Sequence, residues 1–228
     1  VVRGLVVAGV LLAAASLAAP SRTARHGLSP GLFRTPAVAL LATAGWMVWS
    51  SRAGKRRAIE ALLDRYRWSG DELVLDIGCG RGLATIAAAQ RLCSGHVVGI
   101  DLWRSADLSG NTQPAADANA EIMGVTSRVS FKTADATALP FPDASFDVVV
   151  SMTVLHTLSA PSRAHAVREA LRVLVPGGTL LIFDILYARS YAKMAAAGGA
   201  QHVWLSAPTL LWGVPGWSMR AAKAPLPG

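Results

Sequence analysis

Acidic side chains are absent from the first 57 residues of this 228-residue chain, although eight basic ones fall there: Arg3, Arg22, Arg25, Arg34, Arg52, Lys55, Arg56 and Arg57. From Ala58 onward, 14 basic residues meet 14 acidic ones. The formal net charge of +8 is therefore a property of the N-terminal segment. The remainder has no basic field with which to attract nucleic acid, so no nucleic-acid partner is expected. Cysteine is nearly absent as well. Cys79 and Cys93 are too few for a disulfide framework or a four-ligand zinc site, which fits a reducing, cytosolic setting with no bound metal. Charged residues make up only 16% of the chain and hydrophobic ones 52%, enough for one globular domain and a short apolar segment.

That apolar segment is uncharged over residues 4–20 and again over 35–51, with Arg22, Arg25, His26 and Arg34 in the connection. Each stretch is about 17 residues, the lower limit for a bilayer-spanning helix, and neither shows the polar side of a soluble helix. They are expected to form an N-terminal transmembrane helical hairpin, residues 1–53, which anchors a domain over 54–228. Trp46 and Trp49 followed by Arg52, Lys55, Arg56 and Arg57 read as an interfacial aromatic belt and a positive-inside cluster. This predicts a membrane protein with its domain on the cytoplasmic side. A cleavable signal peptide is the alternative for 4–20, with Arg3 as its basic start and Ser16, Ala18 and Ala19 near the cut; the domain would still face the cytosol. The initial Val is compatible with a non-standard start codon or a missing first segment.

Past the anchor, strands and helices alternate. Residues 54–68 read as an amphipathic helix with Ile59, Leu62, Leu63 and Tyr66 on one face. Strands are expected at 73–77, 96–101, 129–133, 146–151 and 178–184, and further helices at 83–92, 113–123, 162–174 and 187–197. The Pro- and Trp-rich region 201–228 reads as a final hairpin. Such alternation implies a parallel, doubly wound sheet that binds its ligand outside the carboxyl ends of the strands.

The first strand runs into Asp76-Ile77-Gly78-Cys79-Gly80-Arg81-Gly82. Glycines there let the backbone turn tightly and approach a ligand, while the next helix points free N–H groups at it. Leu83 stands where a dinucleotide fingerprint needs its third glycine, so the pattern is D-x-G-x-G-x-G. Asp101 ends the second strand about 20 residues beyond the glycines, where its two oxygens can accept from a ribose; a helix-capping role is the plainer alternative. Leu102 would then pack on an adenine.

Asp76, Gly78, Cys79 and Gly80 resemble motif I of the class I S-adenosylmethionine-dependent methyltransferases. Phe131 to Phe141 is similar to the family's G-D-A-x-x-L-P-F element, with Ala134 replacing glycine. Leu171 to Leu180, containing Pro176-Gly177-Gly178, is similar to its L-K-P-G-G turn. The resemblance covers about residues 58–184. It implies a Rossmann-like, seven-stranded, mostly parallel sheet with S-adenosylmethionine as cofactor. It assigns the methionine part to the glycine loop, the adenine edge to Asp135 and Ala136, and includes Ser151 at the end of the fourth strand among the cofactor residues.

Methyl transfer from a sulfonium is an in-line displacement, and a general base is needed only when the acceptor must lose a proton. His156 is the catalytic candidate, because it follows the fourth strand at the expected active-site mouth; a structural histidine with a backbone partner is the alternative. Asp184 and Tyr187, beyond the fifth strand, have similar standing. Asn-Pro-Pro-Tyr is absent after the fourth strand, which argues against amino-methylation of nucleobases. Two cysteines do not supply the thiol cluster that arsenite methylation needs. A small-molecule, hydrophobic or lipid-like acceptor drawn from the membrane is the expected partner. The alternatives are a soluble metabolite and a tethered cofactor-binding protein without turnover. Residues 103–111 form a longer link than usual, either a lid or a solvated loop. The sequence carries no signal of oligomeric state.

Overall fold

The computed structural model describes residues 38–43, 45, 54–104, 110–211 and 214–225. The chain divides into two compact units, Val1–Lys55 with Leu211–Gly213, and Arg56–Leu210 with Val214–Gly228. In the first unit, residues 38–43 are helical, and the Thr43 hydroxyl donates to the Ala39 carbonyl at 2.8 Å. The expected membrane hairpin lies outside the described residues except for 38–43 and 45. Among the described residues no helix is long and apolar enough to cross a membrane.

Helix α1 (Lys55–Leu63) leads into the second unit and buries Ala58, Ile59, Leu62 and Leu63, a stripe at helical spacing. It ends five residues before the sequence-based boundary because Trp68 folds back. The indole N–H donates to the Leu63 carbonyl at 2.9 Å, and Tyr66 packs edge-on against the Trp68 ring. Strands β1 (Leu73–Ile77), β2 (His96–Asp101), β3 (Val129–Thr133), β4 (Phe146–Met152) and β5 (Leu174–Asp184) follow, with helices α2 (Leu83–Ala89), α3 (Gln113–Ile122) and α4 (Ala160–Val173) between them. Helix α5 (Ala188–Ala197) precedes β6 (Ala200–Leu205), β7 (Thr209–Leu211) and β8 (Val214–Lys223). Caps fix two of the helix starts: Thr112 Oγ1 accepts from Ala115 N–H, and Ser159 Oγ from Ser162 N–H.

The strand order is β3-β2-β1-β4-β5-β8-β6, with β7 pairing β8 off this path. Neighbours among β1 to β5 run parallel, whereas β8 is antiparallel to both β5 and β6. The sheet is thus mixed and has eight strands rather than seven, but it is mostly parallel as expected: β1 to β6 run in one direction and β8 against them. The C-terminal region holds three strands instead of a hairpin, because β8 returns by a short connection into the slot between β5 and β6, where both of its edges are paired. Strand β5 also starts at Leu174, four residues earlier than expected. The Pro176-Gly177-Gly178 segment is taken into the strand, with a register shift against β4 between Phe146 and Val148.

The core lies between the sheet and its covering helices. Leu75, Ile77, Val149, Leu180 and Ile182 from the strands meet Ala166, Val167 and Leu171 of α4 and Tyr191 of α5. Helix α2 packs closely because it buries small residues throughout, Ala84 and Ala87 to Ala89 among them. Strand order reverses between β1 and β4. The parallel register sets Ile77, Asp101, Thr133, Met152 and Asp184 at one edge of the sheet, the edge at which folds of this kind bind ligands.

Candidate functional site

The glycine turn after β1 is held by its neighbours on both sides. Gly78 N–H and Cys79 N–H both donate to the Ile100 carbonyl, at 2.8 and 3.0 Å, and Gly82 N–H donates to the Cys79 carbonyl at 2.8 Å. Gly78 adopts φ +73°, and a Cβ there would run into the Val154 side chain. Gly80 and Gly82 also have positive φ, with Gly82 forming the N-cap of α2. The far end of the turn is tied to α3, where the Asn119 amide donates to the Arg81 carbonyl at 2.9 Å. A turn pinned in this way leads directly into a helix N-terminus, which suits the carboxylate end of an amino-acid moiety.

Asp76 lies beneath this turn at 1% exposure. Thr85 donates its hydroxyl to Asp76 Oδ2 at 2.6 Å, while Oδ1 is buried without a partner. Burial pushes the carboxyl up to about 7, with Asp101 adding to the effect and the Thr85 bonds opposing it. An orphaned carboxylate oxygen under the loop fits the ammonium of the methionine part of S-adenosylmethionine. Burial likewise pushes the Cys79 thiol far up, helped by Asp76 and Asp101, so it stays protonated and offers no nucleophile.

Asp101 does more than end β2. Its Oδ2 accepts from Gly80 N–H at 3.0 Å, and its Oδ1 accepts from Trp103 N–H at 2.7 Å and from the Asn111 amide at 3.1 Å. One carboxylate therefore joins the glycine turn to the segment that follows β2. Leu102 is exposed beside it. Asp135 is exposed and accepts the backbone N–H and hydroxyl of Thr137 at Oδ1, both at 2.8 Å; these bonds hold its carboxyl below the usual carboxylate range. Its Oδ2 remains available beside the half-buried Ala136, an arrangement able to accept from an exocyclic amine. Ser151 is buried, and its hydroxyl donates to the Ile77 carbonyl at 3.1 Å, so it ties β4 to β1 beneath the turn.

His156 occupies a single 3-10 turn, Leu155–Thr157, after β4. Its Nδ1 stands 2.6 Å from Asp184 Oδ1, and its backbone N–H donates to Asp184 Oδ2 at 3.1 Å. Asp184 is fully buried and also accepts from Ile185 N–H and the Tyr191 hydroxyl. A carboxylate gathering donors in this way takes the proton-bearing face of the imidazole, so Nδ1 donates and the Nε2 lone pair is left free. The His156 side chain is 21% exposed, enough to meet a bound molecule. Burial and the Asp184 charge push the Tyr191 phenol up, which keeps it a donor. Tyr187 has φ +61° and is exposed, with the Arg163 guanidinium 3.8 Å from its ring centroid.

The sequence-predicted residues thus fall into two groups at one sheet edge: Asp76, the glycine turn, Asp101 and Asp135 on the β1–β3 side, and His156 with Asp184 on the β4–β5 side. Thr85, Asn111 and Tyr191 were not legible in the sequence, since each matters only through a partner elsewhere in the chain. Residues 105–109 of the longer link lie outside the described residues. Among the described residues no group of three or more His, Cys, Asp or Glu could hold a metal ion.

This fold, with an acid-tipped glycine turn and a second acid at the β2 tip, is the arrangement in which open α/β sheets bind nucleoside-containing ligands. A methyltransferase domain model matches residues 75–182. That match covers just under half of the chain, and over it the chain is similar to S-adenosylmethionine-dependent methyltransferases, a similarity that supports S-adenosylmethionine as its cofactor. It is 41% identical over 128 residues to the 27-O-demethylrifamycin SV methyltransferase of Amycolatopsis mediterranei, covering 56% of this chain and 43% of that one. The chain spans about half the length of the curated relatives it matches. Among solved structures, a [4+2]-cyclase matches with TM-score 0.63 at 21% identity, over 75% of this chain and 81% of that one. The geranyl diphosphate C-methyltransferase of Streptomyces coelicolor A3(2), in complex with S-adenosyl-L-homocysteine, matches with TM-score 0.60 at 14% identity, over 74% and 76%.

Proposed function

We propose that the chain transfers the methyl group of S-adenosylmethionine to a hydroxyl oxygen of a small hydrophobic acceptor, with His156 as general base. The observation that carries this reading is the His156–Asp184 pair at 2.6 Å, with Asp184 buried. Bound S-adenosylmethionine supplies an electrophilic methyl on a sulfonium, and S-adenosylhomocysteine leaves with the electron pair of the broken C–S bond. His156 Nε2 takes the acceptor proton as the new O–C bond forms, and Asp184 stabilises the resulting imidazolium and fixes the ring. Asp76, the glycine turn, Asp101, Leu102, Asp135 and Ala136 would hold the cofactor at the same sheet edge as that base.

A hydrophobic acceptor is supported by the apolar rim of the same edge. Leu102 after β2, Leu186 and Tyr187 after β5, and Val214 at the start of β8 are all exposed. The relative named as a 27-O-demethylrifamycin SV methyltransferase supports oxygen as the acceptor atom. The division of labour proposed for the whole chain is an anchor over 1–53, which holds the catalytic domain, 54–228, at the cytoplasmic membrane face where a lipid-like acceptor is concentrated. The basic cluster Arg52, Lys55, Arg56 and Arg57 would add attraction to anionic lipid of about 1 kcal/mol per residue.

The test is S-adenosylhomocysteine release with membrane lipid extract as acceptor. His156→Ala should lower turnover by a factor on the order of 100 to 10,000 with unchanged S-adenosylhomocysteine affinity. Full turnover in that variant would remove the base assignment. Cofactor binding without acceptor-dependent release from any hydroxyl-bearing lipid or soluble extract would favour a binding protein instead.

A further inference from the structure

Asp101 meets the ribose of the cofactor with little acceptor capacity left. A carboxylate offers about four lone-pair positions. Trp103 N–H and the Asn111 amide fill those of Oδ1, and Gly80 N–H takes one on Oδ2. One position remains, whereas the two adjacent hydroxyls of a ribose bring two donors.

Asn111 has the opposite imbalance. It is 3% exposed, its Nδ2 donates to Asp101, and its Oδ1 is buried with no donor. Exchanging the amide oxygen and nitrogen gives no relief, because the carbonyl would then face the Asp101 carboxylate, acceptor against acceptor. A buried carbonyl that forgoes its hydrogen bond is held at a standing penalty, and such groups call for an explanation. The next residue, Thr112, caps α3, so the position of Asn111 is set by a helix start. Gly110, just before it, has φ +68°, a backbone conformation that suits glycine.

We propose that Asn111 is a ribose-reading residue: its amide carbonyl accepts one hydroxyl of the S-adenosylmethionine ribose while Asp101 Oδ2 accepts the other. The side chain turns toward the ribose as its carbonyl gains a donor, and Asp101 keeps its hold on the glycine turn. This rests on the cofactor reading of the site and adds to it a residue lying outside the glycine motif. Asn111 touches cofactor only, not the reacting atoms.

The test is calorimetric titration of the full chain with S-adenosylhomocysteine and with its 2′-deoxy and 3′-deoxy forms. Wild type should bind all three, with the deoxy forms weakened. Asn111→Ala should bind S-adenosylhomocysteine about tenfold more weakly, the equivalent of one neutral hydrogen bond. Toward the one deoxy form that lacks the hydroxyl Asn111 reads, it should match wild type. Asn111→Leu, which refills the volume without an acceptor, should behave alike and keeps the test open if the alanine variant does not fold. Equal weakening toward all three ligands, or no weakening toward any, would overturn the assignment and leave Asn111 a structural residue. Failure of wild type to bind any of the three would overturn the cofactor reading itself, a result distinct from the loss of Asn111 alone.

Discussion

Replacing Asp76 by Asn should flatten the pH dependence of stability. The wild-type carboxyl is buried at 1% exposure with one oxygen unpartnered, and burial raises it from 3.8 to about 7 in the folded chain. Below pH 4 both folded and unfolded states hold the proton, and the full stability is present. Between pH 4 and 7 the unfolded state ionises while the folded state does not, so stability falls by about 1.4 kcal/mol per pH unit. The loss levels off above pH 7 at roughly 4 kcal/mol. Asn cannot titrate, and its amide oxygen can still accept the Thr85 hydroxyl. Urea unfolding of both proteins from pH 4.5 to 8.5 should therefore give curves that diverge, with the variant the more stable at the alkaline end. Parallel curves would refute the reasoning. A cationic amino group bound beside Asp76 should also expel its proton, so wild-type cofactor binding near pH 6.5 should release protons and the variant's should not. Calorimetry in buffers of different ionisation enthalpy reads this directly.

Asp101→Ala should weaken cofactor binding by about 2–4 kcal/mol and also destabilise the fold by about 1–3 kcal/mol, since Gly80, Trp103 and Asn111 all lose their acceptor. Titration with S-adenosylhomocysteine and urea unfolding separate the two effects, and unchanged stability would contradict the bridging role. Gly78→Ala should cost on the order of 3 kcal/mol from its φ of +73° and the clash with Val154. Val154→Ala in the same chain should restore only part of that, because the backbone strain remains; complete rescue in unfolding experiments would argue against strain. For the membrane reading, protease should remove the domain in sealed inside-out vesicles and spare it in right-side-out ones. The opposite pattern would refute the proposed orientation.

The three strands β1, β2 and β3 coincide at both ends with the boundaries read from sequence; β1 is a short, largely apolar run, buried after its first residue, whereas the edge strand β3 alternates Val129 and Phe131, both buried, with polar residues. Helix α1 was misjudged at its end for a reason no local pattern carries: the Leu63 carbonyl is taken by Trp68. Similarly, β8 finds its place by pairing with two strands distant in the chain, which alternation alone does not encode. In the site, the glycine turn and Asp101 were legible because close backbone approach constrains residue type at fixed spacing. His156 was legible only as a candidate, since its partner Asp184 lies 28 residues away and the pair exists only once β4 and β5 lie side by side. Asn111 and Tyr191 are ordinary polar residues until burial leaves one with an empty acceptor and sets the other on Asp184.

The central claim is that the edge formed by the β1 glycine turn and Asp101 binds S-adenosylmethionine. Calorimetric titration of the wild-type chain with S-adenosylhomocysteine, beside Asp101→Ala, tests it most directly. The account predicts one binding site per chain in the wild type, with the variant weakened on the order of 30-fold or more. No binding heat in a folded wild-type protein, or equal affinity in a folded variant, would contradict it.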